Sequence, residues 1–346
     1  MGVFIFRKML KNKWLVLFLT VSVLLTVTMV ASIPLYSNGI MQRVLISELD
    51  SYEYENLNEN YVPSSLESAK EYNDPFNKVN REVSRYAGNF IIDVDFKLIP
   101  SNERQNVYNI FTDQIENQYL KNINLPIISQ TIKLKSTDYY MEVPKNKAKK
   151  FIYFRSMTHW EDHIDIIDGR MPEVRNDGVI ECMVIQSGLK NLGVYVGDEY
   201  KVADSRRVKT YTVKVVGTFY PKTESATIFT DRGSDYAASL FIDPDLMVET
   251  FLTPYESRDI NLITGQYNDR YNIVSSAQWY YVLDYNKMDI FSLKRVYDTT
   301  GEMRGYFSKY SNISFNIPMI MVLDGFFEKQ SALNRTLLVI ELPILI

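Results

Sequence analysis

His159-Trp160-Glu161-Asp162-His163 gathers the residues best suited to chemistry: both histidines of the 346-residue chain, four positions apart, with two acids between them. On a helix that spacing sets both imidazoles on one face, as a bound zinc ion requires. The order is neither H-E-x-x-H nor H-x-x-E-H, so the usual general base is missing, and a distant acid would have to complete the ligand set. The competing reading is a polar turn or short helix leading into Gly169-Arg170. Spacing alone is a weak warrant for a metal, so no metal ligand, catalytic residue or cofactor-binding residue is assigned.

Other chemistry is sparser still. The sequence contains no G-x-x-x-x-G-K-[ST], so any ATP hydrolysis is expected on another chain, and no G-x-S-x-G elbow. Two clustered histidines cannot supply a Ser-His-Asp arrangement, and the chain is read as not an enzyme. The lone cysteine, Cys182, excludes an internal disulfide framework. Alternation along Ile180-Glu181-Cys182-Met183-Val184 places its thiol on the apolar face, as a small hydrophobe. Trp279-Tyr280-Tyr281 has a functional reading as well. A Trp-Tyr pair lines the ligand pocket of some sensory receptor domains, although Ala277 stands where their arginine would be. An aromatic pair alternating on a strand is otherwise a core feature.

The elements that position these residues begin with a membrane segment. Trp14 to Gln42 carries no charge, and its core from Trp14 to Ile33 is long enough to cross a hydrocarbon layer as a helix. Arg7, Lys8, Lys11 and Lys13 precede it without an acid, which places the N-terminus in the cytoplasm. A cleaved signal peptide would have a shorter apolar region and a better cleavage site than Val30-Ala31-Ser32. Phe4-Ile5-Phe6 among the cations suggests an amphipathic segment on the inner face. Thr336 to Ile346 is apolar again apart from Glu341, as the start of a second membrane helix. The chain is therefore expected to continue beyond Ile346. Net charge is −4 overall, and −8 without the four N-terminal cations, which argues against nucleic acid as a partner.

Between the two apolar segments the pattern is α+β. Helical spacing persists through Val44, Leu45 and Leu49 as a stalk, and a polar connector with Pro63 and Pro75 is expected over about 51–85. Ile92, Val94, Phe96 and Leu98 alternate as a strand. A helix follows with Val107, Ile110, Phe111, Ile115 and Tyr119 on one side, capped by Asn102 with Gln105 as its reciprocal partner. A second strand region follows the turn at Pro126 and runs through Ile132-Lys133-Leu134 toward Val143. The order recurs later: a strand at 279–283, a helix capped by Asp289 with Gly301 inside it, and an extended stretch from Ile313 to Val322. Between these units, glycines from Gly169 to Gly217 punctuate short apolar runs of a β-rich middle. Over 221–270 the sequence predicts a loop at 231–235, a strand ending at Phe241-Ile242 and a short helix after Asp243-Pro244.

Four stretches of that middle carry a resemblance. Ile164 to Pro172, containing Gly169-Arg170-Met171-Pro172, resembles the "GR-x-P" stretch in the extracytoplasmic domain of MacB/FtsX-type ABC transporter permeases. Val179-Ile180-Glu181-Cys182 is similar to that family's "evivs" strand, Leu192 to Asp198 to its "l-x-vGd" turn, and Val213 to Gly217 to its "kVvGi" strand. Order and spacing agree over roughly 160–220, and the layout of anchor, outside domain and second helix agrees over the whole chain. The long connector at 51–85 and the absence of further membrane helices depart from the family.

The resemblance implies two β-α-β "porter" units flanking a β-rich "sabre" insertion. The expected organisation is a cytoplasmic amphipathic segment at 1–13, a transmembrane helix at 14–34, and a stalk with the first porter-like unit at 35–150. The insertion follows at 151–220, the second porter-like unit at 221–332, and the start of a second transmembrane helix at 333–346. The implied role is that of a permease subunit in a bacterial cell membrane, with residues 35–332 outside. Its partners would be a cytoplasmic ABC ATPase subunit and a second permease half or subunit, with no cofactor. The substrate would be a peptide, lipid, antibiotic or lipoprotein. The alternatives are an extracytoplasmic ligand-sensing domain of a signalling receptor, with the same two-helix topology, and an anchored surface-binding protein.

Overall fold

The computed structural model describes residues 13–59, 88–99, 101–142, 149–204, 210–222, 228–229, 236–252 and 274–345. The amphipathic segment before Lys13, the connector from 60 onward with Pro63 and Pro75, Val143 and the loop at 231–235 lie outside these residues.

Helix α1 (Lys13–Glu59) is continuous across Pro34 and runs ten residues past Leu49, so the expected connector begins later than 51. A proline inside a helix removes one backbone hydrogen bond and crowds the carbonyl of the preceding turn, at a cost of about 3 kcal/mol. Strand β1 (Asn89–Asp95) leads to helix α2 (Ser101–Asp113), which extends through a π-helical turn (Gln114–Leu120) and a last α-turn (Lys121–Ile123). Asn102 therefore sits within the first turn of α2 and not at its cap. Phe111, Ile115 and Tyr119 are buried as their spacing predicts, whereas Ile110 is exposed.

Strands β2 (Ile127–Ser136), β3 (Tyr139–Glu142), β4 (Lys149–Met157), β5 (Ile164–Gly169) and β6 (Val179–Ile185) follow. A short helix α3 (Gln186–Leu192) crosses to β7 (Glu199–Asp204) and β8 (Thr210–Pro221). Strand β9 (Ser239–Phe241) precedes the expected short helix, α4 (Pro244–Met247), whose first amides are capped by the Asp243 carboxylate. Strand β10 (Val274–Leu283), helix α5 (Leu293–Phe307), strand β11 (Ile313–Asn316) and helix α6 (Pro318–Leu345) complete the order. The Asp289 carboxylate accepts from the amides of Phe291 and Ser292 ahead of α5, and Gly301 leaves that helix unbroken. The extended stretch expected to reach Val322 ends at Asn316, because Pro318 opens α6.

The eleven strands of the described residues join one mixed sheet, ordered β11-β1-β10-β2-β4-β3-β7-β8-β6-β9, with β5 on β8. Its first four strands are antiparallel neighbours. Two strand-helix-strand units interlock there, each strand pair of one unit being separated by a strand of the other. This is the split β-α-β arrangement. Helices α2 and α5 cover one face, where Phe111 meets Phe307 edge to face at 5.3 Å and Phe307 lies over Phe315. On the opposite face Tyr280 and Val282 join a second cluster with Trp160, Phe219 and Phe241. β10 is thus buried on both sides, which explains its continuous apolar run. The second half of the sheet contains the parallel pairs β6–β8 and β4–β9.

Among the described residues no helix is long and apolar enough to cross a membrane. The described side chains of α1 from Trp14 to Val27 are nonetheless mostly exposed apolar groups, including Phe18 and Leu24.

Candidate functional site

The four resembling stretches converge on one junction. Gly169 ends β5 directly opposite Gly217 of β8. Gly169 has φ +82°, and a Cβ there would collide with the Val216 carbonyl oxygen; a Cβ on Gly217 would press on the Arg170 backbone. Only glycine at both positions allows that approach. The next amide, Arg170 N–H, donates to the Val216 carbonyl at 3.0 Å. Gly197, at φ +96°, donates to the Val215 carbonyl at 2.7 Å, and the Val215 amide donates to the Asp198 carbonyl. The turn at Gly197-Asp198 and strand β8 are therefore one hydrogen-bonded unit.

Arg170 links this unit to β6. Its guanidinium donates two parallel bonds to the Glu181 carboxylate, at 2.6 and 2.7 Å. Glu181 is 1% exposed yet accepts further bonds from Arg175 at 3.2 Å and from the Glu173 amide at 3.1 Å. Arg175 also pairs with Asp177, whose carboxylate accepts from the Val179 amide. A buried carboxylate requires such saturation. The bonds from Arg170 lead in holding the Glu181 carboxyl below the ordinary range, against the effect of its burial. Arg175 and the Val179 amide hold the exposed Asp177 carboxyl at about 2. Residues 170–178, which contain no regular element, are in this way laced to the sheet. The groups are mutually neutralised, so the junction fixes shape and presents no reactive atom.

A second arrangement lies where the stalk meets the domain. Met41, Leu45 and Leu49 recur every four residues on α1 and are buried, and α1 packs against α6. Gln42, one residue beyond Met41, is clamped at both ends of its carboxamide. Its Nε2 donates to the Met288 carbonyl at 2.8 Å, and its Oε1 accepts from the Ile290 amide at 2.9 Å. Higher on α1, Asp50 accepts from the Tyr285 hydroxyl at 3.0 Å, and Glu48 pairs with Lys329 of α6 at 2.5 Å. α6 is tied to α5 in turn, Tyr297 donating to Asp324 at 2.6 Å and packing its ring on Phe327. Both terminal helices are fastened to the loop and helix that follow β10.

The histidines are not set on one helix face. His159 occupies the left-handed region at φ +56°, and His163 closes a 3₁₀ turn (Trp160–His163), whose i, i+3 spacing separates the two imidazoles. His163 is buried, with Nε2 3.4 Å from the Ser129 hydroxyl, and desolvation leads in lowering its pKa. Among the described residues no group of three histidine, cysteine or acidic side chains could hold a metal.

Trp279 and Tyr281 are core residues. Trp279 is fully buried, its Nε1 donates to the Thr112 hydroxyl at 3.0 Å, and Phe111 packs against its ring. Tyr281 donates to Glu116 at 3.0 Å, and burial leads in raising its pKa. Burial likewise pushes the Cys182 thiol far up. Two adjoining open hollows, of about 330 and 460 Å³, share Lys97, Lys135 and Ser275 where β1 and β2 end and β10 begins. Neither histidine nor the cysteine lines them. Lys135 is stacked 4.2 Å over the Tyr153 ring.

No family model matches the sequence, and no curated protein matches it. Among solved structures, the chain is similar to the extracellular domain of the noncanonical ABC-type transporter YknZ from Gram-positive bacteria. That match has 9% identity and TM-score 0.33, covering 66% of this chain and 99% of that one. It is also similar to a domain assigned to a permease protein of Porphyromonas gingivalis, at 12% identity and TM-score 0.31, covering 66% of this chain and 90% of that one. At such scores neither similarity defines the fold or the function of this chain.

Proposed function

We propose that this chain is the N-terminal part of a MacB/FtsX-type ABC transporter permease. Residues 14–34 of α1 and the apolar end of α6 cross a bacterial cell membrane, and the domain between them stands outside. The observation that carries the reading is the double fastening of the two helices to one end of the domain, α1 through Gln42 and Asp50 and α6 through Asp324 and Phe327 on Tyr297, with the Glu48–Lys329 pair joining the helices to each other. A helix apolar all around with its side chains exposed is suited to lipid and poorly suited to water. Phe18 is 70% exposed and Leu24 61%.

A separate cytoplasmic ATPase subunit, acting on a second permease half or subunit as well, drives the helices together and apart. The clamps then carry that displacement into the domain. In the resemblance, the split β-α-β half corresponds to the porter and the second half of the sheet to the sabre. The glycine and arginine junction keeps the sabre-like part stiff enough to be moved as a body, which is what a transmitting element needs. The chain itself carries out no catalysis. The substrate class stays as broad as peptide, lipid, antibiotic or lipoprotein. A ligand-sensing domain is the less favoured reading, because Trp279 and Tyr281 are committed to the core.

The test is to express the full chain with its candidate ATPase subunit and to place nitroxides at two exposed positions, Ser47→Cys on the stalk and Glu328→Cys on α6. The permease reading predicts that the two proteins co-purify and that the inter-label distance changes when ATP is trapped. A chain that neither binds the ATPase nor moves overturns it.

A further inference from the structure

The loop between β10 and α5 carries the most exposed large apolar side chain among the described residues: Phe291, 81% exposed. Lys287, Lys294 and Arg295 around it are also exposed. Residues 286–295 hold these three cations against one acid, Asp289, in a chain whose net charge is −4. The Asp289 carboxylate is already engaged by the Phe291 and Ser292 amides. An aromatic ring among exposed cations is the composition of a surface that lies on a membrane.

The position of this loop along α1 gives its height. The charge-free run from Trp14 to Gln42 is 29 residues, and Arg43 is the first charge after it. At a rise of about 1.5 Å per residue the run is about 42 Å long, which matches the ~40–45 Å of a bilayer with its headgroups. Gln42 is the residue that holds Met288 and Ile290. α6 supplies a second mark. Under the reading above α1 leaves the membrane and α6 returns to it, so the two are antiparallel. With Lys329 opposite Glu48, Arg335 then falls six residues further down, level with Gln42. Beyond Arg335 the sequence is apolar except for Glu341. Arg43, Arg335 and the loop of Phe291 therefore share one level, the outer headgroup layer.

We propose that residues 287–295 form a membrane-contact site: Phe291 inserts into the outer leaflet, and Lys287, Lys294 and Arg295 bind the phosphates of anionic lipids. The inference rests on the membrane reading of α1 and α6, and it adds a third point of attachment beside them. Anchored so, the clamp at Gln42 moves against a fixed surface. Cations near an anionic membrane each strengthen attachment about fivefold.

The test uses the full chain with Phe291→Cys, carrying an environment-sensitive fluorophore, in vesicles of phosphatidylethanolamine and phosphatidylglycerol. Cys182 is fully buried and contributes no background label. Val23→Cys on α1 and Lys190→Cys on α3 are the reference positions. The proposal predicts a blue-shifted emission at 291, quenched by lipids with a nitroxide near the headgroup. Position 23 is quenched by deep nitroxides and position 190 by neither. Replacing phosphatidylglycerol by phosphatidylcholine, or introducing Lys287→Gln, Lys294→Gln and Arg295→Gln together, loses part of the blue shift. If 23 is quenched and 291 behaves as 190 does, the contact site is overturned and the membrane reading stands. If 23 is not quenched, both fall. A blue shift indifferent to lipid charge overturns the role of the three cations.

Discussion

Gln42 and Ile290 are 248 residues apart in sequence and joined by a hydrogen bond of 2.9 Å, from the Ile290 amide to the Gln42 carboxamide oxygen. The same carboxamide donates to the Met288 carbonyl. One side chain on the stalk thus holds two backbone groups of the loop that leads into α5, at the height where the uncharged part of α1 ends.

Gln42→Ala leaves both backbone groups without that partner. The expected loss is about 1–2 kcal/mol, concentrated at the loop. Hydrogen exchange at Ile290 accelerates while exchange in β10 stays as it was. Gln42→Glu keeps an acceptor for Ile290 but sets a carboxylate oxygen against the Met288 carbonyl oxygen, so it too loosens the loop. Equal exchange in all three proteins contradicts the clamp.

Glu181→Ala removes the carboxylate that gathers Arg170, Arg175 and the Glu173 amide. The expected destabilisation at neutral pH is about 2 kcal/mol, the scale of hydrogen bonds to a charged group. The folded-state pKa of Glu181 is lowered. Its contribution is therefore complete above the ordinary carboxylate value of about 4.5 and is lost as pH falls through the folded value. Thermal melts of the two proteins accordingly converge at acid pH and separate at neutral pH. A difference independent of pH contradicts the assignment.

His163 has its pKa lowered, mainly by burial. The unfolded chain then binds a proton that the folded chain resists, so stability is full above the unfolded value of about 6.5 and declines as pH falls below it. His163→Gln removes that decline, whereas His159→Gln, in the turn before it, does not. Melting temperatures between pH 7 and pH 5 distinguish the two.

Gly169→Ala meets the Val216 carbonyl and a positive φ together. The expected cost exceeds about 2 kcal/mol, with loss of the β5–β8 pairing. Gly178→Ala also adopts a positive φ, but a Cβ there meets nothing within 4 Å, so its cost is smaller. Comparing the two melts separates strain from collision.

Local elements were legible in the sequence where burial follows a simple period. Ile92 and Val94 mark β1, whereas Phe96 and Leu98, expected to continue it, form a 3₁₀ turn; Phe111, Ile115 and Tyr119 mark the helix over it, a short helix follows Asp243 as expected, and Asp289 caps the turn ahead of α5. Pairing over long distances was not legible, since nothing in 89–95 or 274–283 states that β10 inserts between β1 and β2. Glu181 was missed because alternation alone puts it on the polar face. The structure buries both faces of β6, and the signal was an acid inside an apolar strand with two arginines close before it. Gln42 carried a weaker signal, as the last residue before the first charge. The continuation of α1 to Glu59 was hidden by a polar composition that reads as connector.

The most direct test of the account is the side of the membrane on which the domain lies. Lys190→Cys on α3 and Gly2→Cys near the N-terminus are each introduced into the full chain, with buried Cys182 as the silent background. Intact bacterial cells are then treated with a small sulfonated maleimide. The expected result is that Lys190→Cys is labelled without permeabilisation and Gly2→Cys only after it. Protection of position 190 until the membrane is opened would place the domain in the cytoplasm and contradict the permease reading.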